Sequence, residues 1–108
     1  MAAPYASNQP ERSAIDATQG LVALDFGANW CGYCRAAAPA IAQAVAGQPA
    51  ARHVKVEDGP GRPLGRSFRV KLWPTLIFLQ DGQEVSRLVR PTRASDVEEA
   101  LEQLTQQA

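Results

Sequence analysis

Residues 21–35 read Leu21-Val22-Ala23-Leu24-Asp25-Phe26-Gly27-Ala28-Asn29-Trp30-Cys31-Gly32-Tyr33-Cys34-Arg35. The first six form a short, nearly all-apolar run, the pattern of a strand covered on both faces, with Asp25 as its one charged member. From Cys31 to Val45 the chain turns rich in alanine. Ile41 and Val45 are spaced four apart and Gly47 is placed to end a helix, with Pro39 inside it as an expected kink. Two cysteines three apart therefore stand where a buried strand ends and a helix begins.

That location determines the chemistry expected of them. The unpaired N–H groups and the macrodipole at a helix N-terminus favour an anion, which makes Cys31 the expected nucleophile as its thiolate. Cys34 lies one turn further in, close enough to close a disulfide but more enclosed, and is the expected resolving thiol. Its attack on a mixed disulfide at Cys31 requires that it lose a proton. Asp25, in the strand leading to the motif, is the candidate base, and Lys55 on a neighbouring strand is its candidate ionic partner.

The rest of the chain supplies a frame. Residues 1–9 read as a loosely ordered arm, followed by a short helix from Glu11 to Thr18 that Gly20 stops. His53–Glu57 alternates as a second strand. Asp58–Gly65 is a Gly/Pro loop, with a short helix over Leu64–Val70 after it. Thr75–Leu79, the Asp81-Gly82 turn and Glu84–Val89 spell a hairpin. Ser95 and Glu98 read as a capping box opening a last amphipathic helix through Val97, Ala100, Leu101 and Leu104. The order β, α, β, α, β, β, α predicts one α/β domain over residues 1–108, a central mixed sheet flanked by helices on both faces.

Composition narrows the function. The 108 residues are 45% hydrophobic, with eleven Lys plus Arg against eleven Asp plus Glu. A domain of this size buries roughly two thirds of its unfolded surface, sufficient for an apolar core. The absence of an apolar run near ~18 residues argues against a membrane span. The absence of a basic cluster argues against nucleic acid. Two cysteines and the single His53 do not furnish four ligands for a closed metal site, so no metal is expected. His53 reads as a strand-edge residue, and Tyr5 and Phe68 as packing. The first twenty residues lack the basic start and apolar stretch of an export signal, which favours the cytoplasm. A mature periplasmic chain trimmed of its leader would read the same.

From Leu21 to about Leu104 the chain resembles the thioredoxin superfamily, on Asp25, Phe26, Ala28, Trp30, Cys31, Gly32, Cys34, Pro39, Lys55, Pro74 and Thr75. The resemblance implies a thioredoxin-like fold, Cys31 exposed at the helix start, and a cis Pro74 facing the cysteines, where the backbone of residue 73 pairs with substrate. It implies a thiol-disulfide oxidoreductase needing no cofactor, acting as a reductant on protein disulfides, reloaded by a reductase or another thiol-exchange donor, and working as a monomer. Trp30, Gly32, Tyr33, Trp73, Pro74 and Thr75 are the expected substrate contacts.

Several positions depart from the pattern. Tyr33 replaces the proline usual between the cysteines, and the resulting Gly-Tyr dipeptide is similar to that of bacterial disulfide isomerases. This keeps an isomerase or oxidase of an oxidising compartment as an alternative. A binding module carrying a surface disulfide or a dimer-shared metal site is the non-enzymatic one. Trp73 is bulkier than the usual residue before the proline, Gly27 takes a position often aromatic, Asn29 one often acidic, and Arg90-Pro91 replaces a Gly-containing loop.

Overall fold

The computed structural model describes residues 3–106. Eight elements follow one another: α1 (Arg12–Asp16), β1 (Leu21–Gly27), α2 (Gly32–Ala46), β2 (Ala51–Glu57), α3 (Pro63–Ser67), β3 (Thr75–Gln80), β4 (Gln83–Val89) and α4 (Ala94–Gln106). The sheet runs in the order β2-β1-β3-β4. β2 pairs parallel with β1, whereas β3 and β4 add antiparallel. The mixed sheet flanked by helices expected from the pattern is present.

The two-residue period of β1 divides the core. Leu21 and Ala23 join Leu76 and Phe78 of β3 beneath α2 and α4. Val22, Leu24 and Phe26 join Ile77 and Leu79 on the opposite face, against Ile15, Leu64 and Phe68. All seven residues of β1 are buried, which is why the run carries so few polar groups. α4 is too short to hold its conformation alone. Its stripe of Val97, Leu101 and Leu104 docks it on the sheet, each fully buried aliphatic side chain contributing about 1.5–3 kcal/mol. Asp25 follows the same partition, sharing the face of Leu21 and Ala23 toward α2, and differs from them in being a buried charged residue.

Some boundaries differ from expectation for local reasons. α3 stops at Ser67 rather than Val70. Arg69 adopts φ 59°, and the N–H groups of Arg69 and Val70 bond to the carbonyls of Arg66 and Gly65, a Schellman closure built without glycine. α4 starts at Ala94, so Ser95 lies within the first turn and not at a capping position. Residues 3–9 are not a loose arm. Ala6 bridges Val56 of β2 in parallel, with hydrogen bonds from Ala6 N–H to the Lys55 carbonyl and from Glu57 N–H to the Ala6 carbonyl. Tyr5 is buried in the process. Residues 1 and 2 of the expected arm lie outside the described residues.

The β3–β4 turn tests how closely the hairpin backs onto α1. Gly82 has φ 81°, and a Cβ there would stand 1.9 Å from the Asp16 carbonyl oxygen. Gly20 has φ 77° but open space around it. Gly20→Ala is expected to cost about 1 kcal/mol, the left-handed penalty alone. Gly82→Ala adds displacement of backbone and should cost about 2–3 kcal/mol, as read from urea denaturation midpoints. Equal losses would show that the turn moves freely away from α1.

Candidate active site

Cys31 is the N-cap of α2. Its extended backbone turns the chain from β1 into the helix, and its sulfur accepts the Cys34 N–H at 3.3 Å. One of the orphan donors of the helix start therefore points at the Cys31 sulfur. Both thiols are free. Cys34 is 1% exposed and Cys31 7%. The enclosure of Cys31 exceeds what the family resemblance implied, because it packs with Ala28, Tyr5 and Cys34 in a small cluster against which Trp73 rests. Trp30, 72% exposed, and Tyr33 form the outward rim instead.

Below the cysteines lies Asp25, whose carboxylate is 2% exposed. The Tyr5 hydroxyl donates to Oδ1 at 2.8 Å, and His53 Nε2 meets Oδ2 at 2.9 Å. The expected Asp25–Lys55 pair does not form, although the two residues are register partners across β1 and β2. The Lys55 ammonium turns outward, bonds the Ala3 carbonyl and lies 4.4 Å from the centre of the Tyr5 ring. Its long stem lets it follow the docked arm, and the shorter His53 takes the carboxylate. The sequence reads Tyr5 as packing and His53 as a strand-edge residue, neither as a partner of Asp25. A tyrosine and a histidine 20 and 28 residues from their partner leave no periodic or spacing signal. Gly27 was such a signal, had its missing side chain been read as space.

A Cβ on Gly27 would stand 2.6 Å from the Tyr5 hydroxyl oxygen and 2.7 Å from the Cys34 sulfur. The tyrosine ring thus fills the room left at a position often aromatic. Asn29 completes the fit, accepting the Tyr5 N–H at 2.8 Å and donating to its carbonyl at 3.3 Å. Burial together with the neighbouring Cys31 sulfur pushes the Cys34 thiol up to about 12. A backbone hydrogen bond at Ala28 and the Tyr5 hydroxyl pull it back only in part. Burial and the Asp25 carboxylate hold the Tyr5 phenol protonated far above its ordinary range. A cavity of about 530 Å³ opens beside this group, lined among others by Tyr5, Asn29, Cys34, Arg35 and Lys55.

Across the cysteines, the Trp73–Pro74 peptide bond is cis. Trp73 meets Trp30 edge to face with ring centres 5.5 Å apart, and its indole N–H donates to Asp58 Oδ2 at 2.9 Å. Arg90 Nε donates to the Trp73 carbonyl at 2.9 Å while its guanidinium lies 3.9 Å from the Tyr33 ring centre. The sequence marks Arg90 only as part of the Arg90-Pro91 pair that replaces a Gly-containing loop. Gly32 is exposed with open space above it. Thr75 departs from expectation: its side chain is buried and its hydroxyl donates to the Leu72 carbonyl, so it braces the loop before the proline and does not face the groove. Among the described residues no three His, Cys, Asp or Glu side chains group to hold a metal ion, and no helix is long and apolar enough to cross a membrane.

The asymmetry between the thiols sets their reactivity. At pH 8 a thiol held near 12 is ionised in about one molecule in ten thousand. Iodoacetamide at pH 8 should therefore modify Cys31 alone, as read by peptide mass spectrometry. Comparable labelling of Cys34 would contradict both its burial and its raised pKa.

The Thioredoxin family pattern matches residues 6–103. The chain is 38% identical over 72 residues to thioredoxin H-type 1 of Nicotiana tabacum, a match covering 67% of this chain and 57% of that protein. To the thioredoxin of Chlamydia trachomatis it is 39% identical over 80 residues, 73% of this chain and 78% of the other. It thus spans less than two thirds of the plant relative's length but most of the bacterial one's. Among solved structures, thioredoxin 2 of Pseudomonas aeruginosa PAO1 in its reduced form is 50% identical with a TM-score of 0.87, both chains being covered in full. With its strand-to-helix cysteine pair opposite a cis-proline and a family match over nearly its whole length, the chain belongs to the thioredoxin family.

Proposed function

We propose that the protein is a thiol-disulfide oxidoreductase that reduces protein disulfides through Cys31 and Cys34. The observation that carries this reading is the Cys31 sulfur at the N-cap of α2, accepting a backbone N–H, with a second, buried thiol one turn behind it. The hydrogen bond and the helix dipole favour the thiolate that attacks a substrate disulfide. One substrate sulfur leaves as a thiolate and the other stays bonded to Cys31. Cys34 then loses its proton, attacks the Cys31 sulfur and releases the second substrate thiolate, leaving a Cys31–Cys34 disulfide. Two electrons pass from the dithiol to the substrate, and no cofactor takes part. A reductase or another thiol donor reverses the change.

Asp25 is the base for the second attack, reached from Cys34 by way of the space under Gly27. Trp30, Gly32, Tyr33, Trp73 and Pro74 form the substrate rim, while Lys55 supports the site through the arm and the Tyr5 ring. Arg90 narrows that rim, since its contacts to the Trp73 carbonyl and Tyr33 occupy one edge of the groove. A donor of this kind works as a monomer where thiols are kept reduced, which assigns it to the cytoplasm.

Cys31→Ser is expected to abolish reduction of insulin disulfides, and Cys34→Ser to accumulate substrate cross-linked to Cys31 on non-reducing gels. Equal residual activity in both would remove the assigned roles. Equilibration with a reference dithiol should give a potential near about −270 to −230 mV; a value near about −180 to −120 mV would instead make the protein an isomerase or oxidase, the reading that the Gly32-Tyr33 dipeptide favours.

Asp25→Asn keeps the side-chain shape but removes the base. It should slow release of bound substrate by about a hundredfold while changing the first attack little, in a stopped-flow comparison of the two steps. An unchanged release rate would leave Asp25 a structural residue.

A further inference from the structure

We propose that the Tyr5 hydroxyl carries the proton from Cys34 to Asp25, and that His53 connects Asp25 to solvent. This rests on the reading of Asp25 as the base and adds the path that reading lacks. No hydrogen bond joins the Asp25 carboxylate to the Cys34 sulfur; the Tyr5 oxygen is bonded to Oδ1 at 2.8 Å and lies with the sulfur around the room that a Gly27 side chain would fill, 2.6 and 2.7 Å from where its Cβ would stand. A phenol that donates its one hydrogen to a carboxylate keeps lone pairs for an S–H donor. The cysteine proton moves to the tyrosine oxygen as the tyrosine proton moves to Oδ1. Tyr5 ends as it began, Asp25 ends neutral, and Cys34 ends as the thiolate that attacks Cys31. The Cys31–Cys34 bond then forms, and the bond from Cys31 to the substrate sulfur breaks.

The surroundings supply the rest of this route. Asp25 is faced by Tyr5 from the arm, by His53 and Lys55 from β2 and by Cys34 from α2, while β3 offers the apolar Leu76 and Phe78. The Lys55 ammonium is engaged with the Ala3 carbonyl and the outer face of the Tyr5 ring. His53 is 20% exposed where Asp25 is 2%, so the imidazole spans from the buried oxygen to water. An imidazole has two ring nitrogens, so one can meet the carboxylate while the other faces the solvent side. The tyrosine remains a neutral donor throughout because burial and the adjacent carboxylate both oppose its ionisation.

The test uses the reduced protein and 5,5′-dithiobis(2-nitrobenzoate), which reports each step by release of one coloured thiolate. The first attack by Cys31 gives the first release and the resolving attack by Cys34 the second. Tyr5→Phe preserves the ring that fills the Gly27 gap and deletes only the hydroxyl. It should slow the second release at least about tenfold and move its pH dependence upward, with the first release within about twofold of the unsubstituted protein. In that unsubstituted protein, two protons in flight should make the deuterium dependence of the second release curved. A second release unchanged in rate and pH profile, an equal slowing of both releases, or a linear or absent deuterium dependence would each overturn the relay. Asp25→Asn separates the two readings. If it slows the second release and Tyr5→Phe does not, only the relay falls; if neither slows it, the base assignment falls as well.

Discussion

A carboxylate placed under two thiols and sealed from water has to be satisfied by hydrogen bonds, and much of this molecule's N-terminal third follows from how Asp25 is satisfied. Leaving such a group unpaired costs several kcal/mol. One donor comes from Tyr5 and the other from His53. Bringing Tyr5 there requires the arm to fold back along β2, which Ala6 accomplishes by bridging Val56. It requires room, which Gly27 leaves, and an anchor for the tyrosine backbone, which Asn29 provides on both its N–H and its carbonyl. Two departures from the family pattern, at residues 27 and 29, are thereby one device. A buried charge is weak evidence for stability, which is consistent with the base role proposed for Asp25.

The sheet explains why the second donor is a histidine on β2. On the face toward α1 and α3, β2 presents Val54 and Val56 and continues the apolar layer. On the face toward α2 it presents His53 and Lys55, because the helices do not cover this edge of the sheet completely and both residues remain partly exposed. A polar stripe at a half-covered edge can supply a hydrogen bond inward and still touch water. Lys55 and His53 are two residues apart on the same face. Which of them reaches the carboxylate is decided by the arm, whose Ala3 carbonyl draws the ammonium away.

What was legible in the sequence was what local pattern determines. The apolar run of β1, the cysteine pair at the start of α2, the Asp81-Gly82 hairpin and the apolar stripe of α4 each carry their own periodicity or turn chemistry, and each lies within a residue or two of its expected place. The cis bond before Pro74 was available only through the family resemblance. Tyr5, His53 and the docked arm depend on pairings between segments distant in sequence, and a single chain without periodic signal does not show those. Arg69 ended α3 early in a conformation that favours glycine, so the usual stop signal was absent. Thr75 was read as facing substrate because it follows the proline; its short hydroxyl is satisfied by the loop carbonyl three residues back.

The two thiols divide the site into sides that answer to different steps. Above Cys31 lie Trp30, Tyr33, Trp73 and Arg90, an aromatic rim with one guanidinium locked across it. Below Cys34 lie Tyr5, Asp25 and His53, a hydrogen-bonded line from buried carboxylate to solvent. On the proposed mechanism, docking and first attack draw on the upper side, where Cys31 has its backbone donor and its place at the helix start. Resolution draws on the lower side, because a thiol buried to 1% exposure and pushed up to about 12 attacks slowly until something takes its proton. On that proposal, substitution of the rim is expected to change which disulfides are accepted, and substitution beneath to change how long each one stays attached. Trp73 and the Arg90 clasp shape the rim without contacting the lower line, so on the proposed mechanism a change of partner at the rim leaves the two-step exchange beneath it intact.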